Sequence, residues 1–129
     1  MTVLRRVLAQ VLRDVEATGA PLPKVEDSDW QTSPGAESAM LRSVDGSGMG
    51  IWVDPDQPEH EQVAMLADQV QEWLVEDLWH RGLPTNWPKC PEHPNNHPLE
   101  AAVRSGRATW ACPTSGKSEC EIGSLSPTT

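Results

Sequence analysis

At 129 residues the chain has room for one domain, or for a small domain with a metal-stapled appendage, because below about 40 residues an autonomous core is rarely sufficient. Its formal net charge of −9 argues against nonspecific binding to nucleic acid or to an anionic membrane, since both depend on Lys and Arg neutralising phosphates, and favours a basic or neutral protein partner. Tyr and Phe are absent while Trp occurs six times, so Trp30, Trp52, Trp73, Trp79, Trp87 and Trp110 must supply all aromatic packing.

The opening MTVLRRVLAQVLRDVEATG carries Val3, Leu4, Val7, Leu8, Val11, Leu12 and Val15 at the three and four spacing of one apolar helix face, with Gly19 placed to end it. Arg5, Arg6, Arg13 and Asp14 interrupt any apolar run that would act as a signal peptide. No later run approaches membrane-spanning length. A cytoplasmic location with reduced cysteines is therefore expected. The next stretch, APLPKVEDSDWQTSPGAES, holds turn formers and acids without period and is expected to be a surface connection.

AMLRSVD and MGIWVD flank GSG, which predicts an antiparallel hairpin with glycine at the turn and Leu41, Ile51 and Val53 toward the core. A long helix follows. Asp56 is expected to cap it in a capping box with Glu59, and Gly82 to stop it. Its buried stripe is Val63, Leu66, Val70, Trp73, Leu74 and Leu78, with Glu61, Asp68, Glu72, Glu76 and Asp77 off it. Residues 25–82 hold thirteen acids against Arg42 and Arg81 alone. LPTNWP then marks a boundary, dividing an acidic region, residues 1–82, from a module over residues 83–125 and a tail over 126–129. In that module LEAAV and RATWA read as a second hairpin, and KSECEIGSL as a third strand.

The chemistry gathers in WPKCPEHPNNHP. Cys90, His93, His97 and Cys112 have the spacing C-x2-H-x3-H-x14-C, two thiolates and two imidazoles of the kind zinc takes tetrahedrally. Prolines follow all four and stiffen the turns that aim the ligands. In a reducing compartment such a cluster points to a metal before a disulfide.

Residues 87–125 thus resemble a zinc ribbon, a small β module in which two cysteine-bearing turns clasp one zinc. CPEH matches the first knuckle with His93 in place of its second cysteine, and CPTSG has Ser115 where the second knuckle has a cysteine. The resemblance implies a structural zinc on Cys90, His93, His97 and Cys112, with Cys120 competing with His97 for the fourth position. The helix followed by CPxHPxxHP is also similar to the layout of small bacterial proteins, a likeness that implies no function.

Other motifs are missing. The chain has neither H-E-x-x-H nor the deaminase signature, no G-x-S-x-G, and no phosphate-binding loop. Glu92 would be the base of a hydrolase reading that uses Cys90, His93 and Cys112 as three ligands. Arg104, Arg107 and Lys117 would touch phosphate in a nucleic-acid reading, but Glu100, Glu119 and Glu121 balance them. The expectation is an α+β protein: N-terminal helix, hairpin and long acidic helix, then a zinc-ribbon-like module. Its expected function is that of a non-enzymatic zinc-binding adaptor or accessory protein acting through protein contacts. A nucleic-acid-associated regulator ranks second and a zinc-dependent hydrolase third.

Overall fold

The computed structural model describes residues 2–127. The fold is α+β, with two helices and two three-stranded antiparallel sheets. Helix α1 spans Val3–Ala17 and opens on Thr2, whose side chain accepts a hydrogen bond from the Arg5 N–H, one of the donors left free at a helix start. Gly19 closes it at φ +72°, with the Ala20 N–H returned to the Val15 carbonyl at 3.0 Å; the left-handed conformation is the one glycine adopts without strain. The buried face is Leu4, Val7, Leu8, Val11 and Val15, and Asp14 is buried among them.

Strand β1, Lys24–Asp27, lies within the stretch expected to be a surface connection. It is an edge strand, antiparallel to β2. Four residues of mixed charge carry no period of their own, so the pairing with a neighbour defines the strand. Strands β2, Glu37–Arg42, and β3, Gly48–Val53, form the expected hairpin and bury Ala39, Leu41, Ile51 and Val53. Trp30 crosses this hairpin and donates from Nε1 to the carbonyls of Ala39 and Ile51, at 3.0 and 3.1 Å. Gly50 permits that approach, because a Cβ there would sit 2.5 Å from the indole.

Helix α2 runs Glu59–His80. Asp56 does not cap it. The N-cap is Pro58 and makes no side-chain capping bond. Asp54 organises the preceding turn instead, accepting from the Asp56 N–H at 2.9 Å, while buried Gln62 reaches back to the carbonyls of Asp54 and Gln57 at 3.1 and 3.0 Å. Gly82, at φ +70°, ends the helix as expected, with the Leu83 N–H on the Leu78 carbonyl at 3.0 Å. His80 lies 2.9 Å from the Glu76 carbonyl through Nδ1, at the negative end of the helix.

All six stripe residues of α2 are buried, and Glu61, Asp68, Glu72 and Glu76 are exposed. Asp77 departs from expectation: it is 4% exposed and accepts from Arg81 Nε at 2.7 Å. An arginine one turn later lets a carboxylate sit on the inner face. Leu74, with no exposure, should cost about 2 to 5 kcal/mol when cut to alanine, whereas Glu72→Gln and Glu76→Gln should leave the melting temperature nearly unchanged. A silent Leu74→Ala in thermal melts would contradict this face assignment.

The second sheet orders β4, Glu100–Arg104, β5, Arg107–Ala111, and β6, Ser118–Glu121. Ser105 and Gly106 make its first turn with φ of 52° and 73°, both positive as a two-residue hairpin with matching twist requires. Strands β4 and β5 pack on α2, and Trp110 of β5 reaches Asp14 of α1. Trp87, Leu99, Trp110 and Ile122 belong to the same buried cluster as Val11, Leu66 and Val70, so the core is continuous across residues 82 and 83. Trp87 meets Trp110 edge to face, with centroids 5.6 Å apart.

Polar side chains tie the layers together. Gln71 Nε2 donates to the carbonyls of Trp87 and Leu99 at 3.0 and 2.7 Å, Trp87 Nε1 to Thr18 Oγ1 at 2.9 Å, and Gln10 Nε2 to the Ile122 carbonyl at 2.9 Å. Asp14 receives Trp110 Nε1, the Gly123 N–H and the Leu125 N–H at 2.7, 2.7 and 2.9 Å. Among the described residues no helix is long and apolar enough to cross a membrane.

Candidate metal centre

Two turns hold the cluster. The first follows Cys90, whose carbonyl accepts from the His93 N–H at 3.1 Å; the second follows Cys112, whose carbonyl accepts from the Gly116 N–H at 2.8 Å. Gly116 has φ +75°, which bends the chain back so that Cys112 N–H can bond the Lys117 carbonyl at 2.9 Å. The turns are brought face to face by the sheet and by the bridge between Lys89 and Pro98, which closes the loop carrying His93 and His97.

One atom each from Cys90, His93, His97 and Cys112 lies within 4.8 Å of all the others. His93 Nδ1 stands 3.6 Å from Cys90 Sγ and 3.5 Å from Cys112 Sγ. Zinc–sulfur and zinc–nitrogen bonds of tetrahedral geometry give sulfur–nitrogen edges of about 3.5 Å, so these separations fit. The fourth corner is looser: His97 Nε2 is 4.0 Å from Cys112 Sγ and 3.2 Å from Thr114 Oγ1. His97 Nδ1 lies 3.1 Å from the Pro98 carbonyl. Donating its proton there leaves Nε2 as the lone pair facing the cluster, the arrangement typical of a metal-bound histidine. The donor set of two sulfurs and two imidazole nitrogens suits zinc among the divalent metals.

Both sulfurs are fully buried. The Cys112 thiol is brought down to about 6, chiefly by hydrogen bonding from Ser115, through its side chain and its N–H at 3.4 Å, with the Thr114 N–H adding to it. The same hydrogen bonds favour the thiolate of Cys112, the form that binds metal. Burial pushes the Cys90 thiol up, and Cys112 beside it adds to the rise against the N–H groups of Glu92 and His93. Ser115 and Thr114 were not among the expected site residues. The signal was present in CPTSG, where Ser115 occupies a ligand position of the ordinary knuckle.

Cys120 lies outside the group. It is half-buried on β6, paired in register with Trp110, and its thiol is pushed up to about 11 by burial first and by Asp14 and Glu119 after that. Glu92 is exposed and accepts weakly from Ser115 Oγ at 3.4 Å. Arg107 is engaged across the strands with Glu121, and Arg104 and Lys117 are exposed. Comparison with protein-family models, with curated proteins and with solved structures returned no match.

Proposed function

We propose that Cys90, His93, His97 and Cys112 bind one zinc ion in a structural role, and that the protein is a non-enzymatic accessory or adaptor protein acting through contacts with a protein partner in a reducing, cytoplasmic setting. The observation that carries this reading is the closed donor set: four protein atoms converge, two of them on fully buried cysteines. A hydrolytic zinc needs three protein ligands and an exchangeable water, and the grouping of a fourth side-chain donor, His97, within 4.8 Å of the other three supports a closed site instead. Glu92 is exposed to solvent, which does not set it apart as a base. The pairing of Arg107 with Glu121 and the net charge of −9 weigh against a phosphate-binding surface. Trp79, 72% exposed at the end of the face bearing Asp68, Glu72 and Glu76, is the kind of side chain that protein interfaces bury, and the acids around it favour a basic partner.

Metal analysis of the purified protein should find about one zinc per chain, lost in both Cys90→Ser and Cys112→Ser. Replacement by cobalt should give the visible spectrum of a tetrahedral site with thiolate charge-transfer bands. His97→Ala should lose metal affinity and Cys120→Ser should keep it. Unchanged zinc in both Cys90→Ser and Cys112→Ser removes the proposal. On heparin at low salt the protein should flow through; retention would favour the nucleic-acid reading.

A further inference from the structure

Cys90 and Cys112 are the two sulfurs of the donor group, and Cys120, the third cysteine of the chain, lies outside it on β6. Their Sγ atoms lie within 4.8 Å of each other, and both are near His93 Nδ1, at 3.6 and 3.5 Å. A sulfur–sulfur bond is about 2.05 Å long, so the pair closes through a shift of under about 3 Å shared between two turns. Those turns are surface loops: Pro91, Glu92, Pro113 and Thr114, which follow the cysteines, are exposed, and His93 and His97 are half-buried. The sulfurs themselves are shut off from water, so an oxidant reaches them only when a neighbour moves aside. His97 is placed to do so. It is the looser corner of the group, and Thr114 Oγ1, 3.2 Å from its Nε2, offers it another partner.

A donor set with one pair of sulfurs is a two-electron site. Joining the pair removes both anionic donors in one event, because the thiolate is the form that binds metal, and leaves two neutral imidazoles where zinc takes four ligands. A single cysteine would have no partner to close with, and four would need a second oxidation. We propose that Cys90 and Cys112 form a redox switch, in which hydrogen peroxide joins them as a disulfide with release of zinc and a thiol reductant restores the site. One sulfur attacks a peroxide oxygen; the O–O bond breaks, a sulfenic acid forms and the other oxygen leaves as water after taking a proton from solvent. The second sulfur then displaces the sulfenic hydroxyl, which leaves as a second water with a second proton, and the S–S bond forms. Each sulfur loses one electron and the peroxide gains both. The switch rests on the zinc reading above, since it is the regulation of that same site.

The test adds hydrogen peroxide in modest molar excess to the full chain purified with its zinc, after the zinc content has been measured. Released zinc is followed with a chromogenic chelator, and the covalent state by mass spectrometry of the intact and digested protein. Zinc should be lost completely, in step with the loss of two hydrogen atoms per chain, and the digest should hold a Cys90–Cys112 crosslink. Cys120→Ser should release zinc at the wild-type rate, and dithiothreitol with added zinc should return the full metal content. A protein without zinc before peroxide is added would remove the zinc reading and the switch with it. Zinc present at the start and retained while Cys120 alone is oxidised would overturn the switch and leave the structural zinc standing. So would zinc lost with the sulfurs as sulfinic or sulfonic acids and no crosslink, or a crosslink between Cys90 and Cys120 that Cys120→Ser abolishes together with the release. A crosslink that dithiothreitol opens without restoring zinc binding would mark the oxidation as damage and also overturn it.

Discussion

On the proposed zinc reading, chelation is expected to abolish amide protection from Cys90 to Leu125 and to lower it, without abolishing it, along residues 63–78 of α2. A structural zinc of this ligand type contributes an apparent binding free energy of about 10 to 16 kcal/mol near neutral pH, comparable with the whole stability of a small domain, about 5 to 15 kcal/mol. In the module itself few large side chains are buried, chiefly Trp87, Leu99, Trp110 and Ile122. The sheet and the Lys89–Pro98 bridge bring the turns together, but without metal the two buried cysteines would be left beside each other in the interior with nothing to share their sulfurs. The effect reaches α2 because Gln71 bonds the carbonyls of Trp87 and Leu99 and because one core cluster spans both sheets. It stops short of unfolding the helix, whose other contacts are with β3 and α1. Hydrogen exchange of loaded and chelated protein reads this directly. Full protection of β4 to β6 after chelation would show that a metal does not hold the module, and would favour a catalytic role.

Asp14→Ala is expected to be the most damaging substitution away from the candidate metal centre. The carboxylate is 1% exposed and receives three N–H donors, from Trp110, Gly123 and Leu125. Its removal leaves them without an acceptor, at about 1 to 3 kcal/mol for each donor that water cannot reach. A loss of about 3 kcal/mol or more is expected, with protection disappearing at Gly123 and Leu125 first. Asp14→Asn keeps one oxygen and turns an amide N–H toward the remaining donors, so it should fall between wild type and alanine. Urea unfolding of the zinc-loaded variants measures the order. An alanine variant as stable as wild type would show that the segment after Ile122 is held by its apolar contacts alone.

Much of this architecture is local and therefore legible in the residues. The two helices declare themselves by apolar spacing and by Gly19 and Gly82 at their ends, since a helix's hydrogen bonds and its buried face are both set within a few turns. The β2–β3 hairpin is legible for the same reason. So is the close grouping of Cys90, His93 and His97, which lie in one proline-stiffened loop. Strand β1 is not legible, because four mixed-charge residues become a strand only when β2 offers them a ladder. Asp56 failed as a cap because Pro58 occupies the N-cap and Asp54 takes the preceding turn, a competition between neighbours that propensity does not rank.

Asp14 illustrates the limit. It stands at helical spacing from Val7 and Val11, so its place on the buried face was readable, but the donors that make burial tolerable come from residues about a hundred positions away. Asp77 shows the short-range version, resolved by Arg81 one turn on. Cys112 joins the other ligands only after the β4–β5 hairpin has returned the chain. The register shift between Trp110 and Ala111 arises from the pairing of two strands and from nothing in either strand alone. Residue type and spacing determined which groups can bind a metal and which faces are apolar. Long-range pairing decided which buried polar atoms found partners, because hydrogen bonds across a fold depend on where distant backbone is placed.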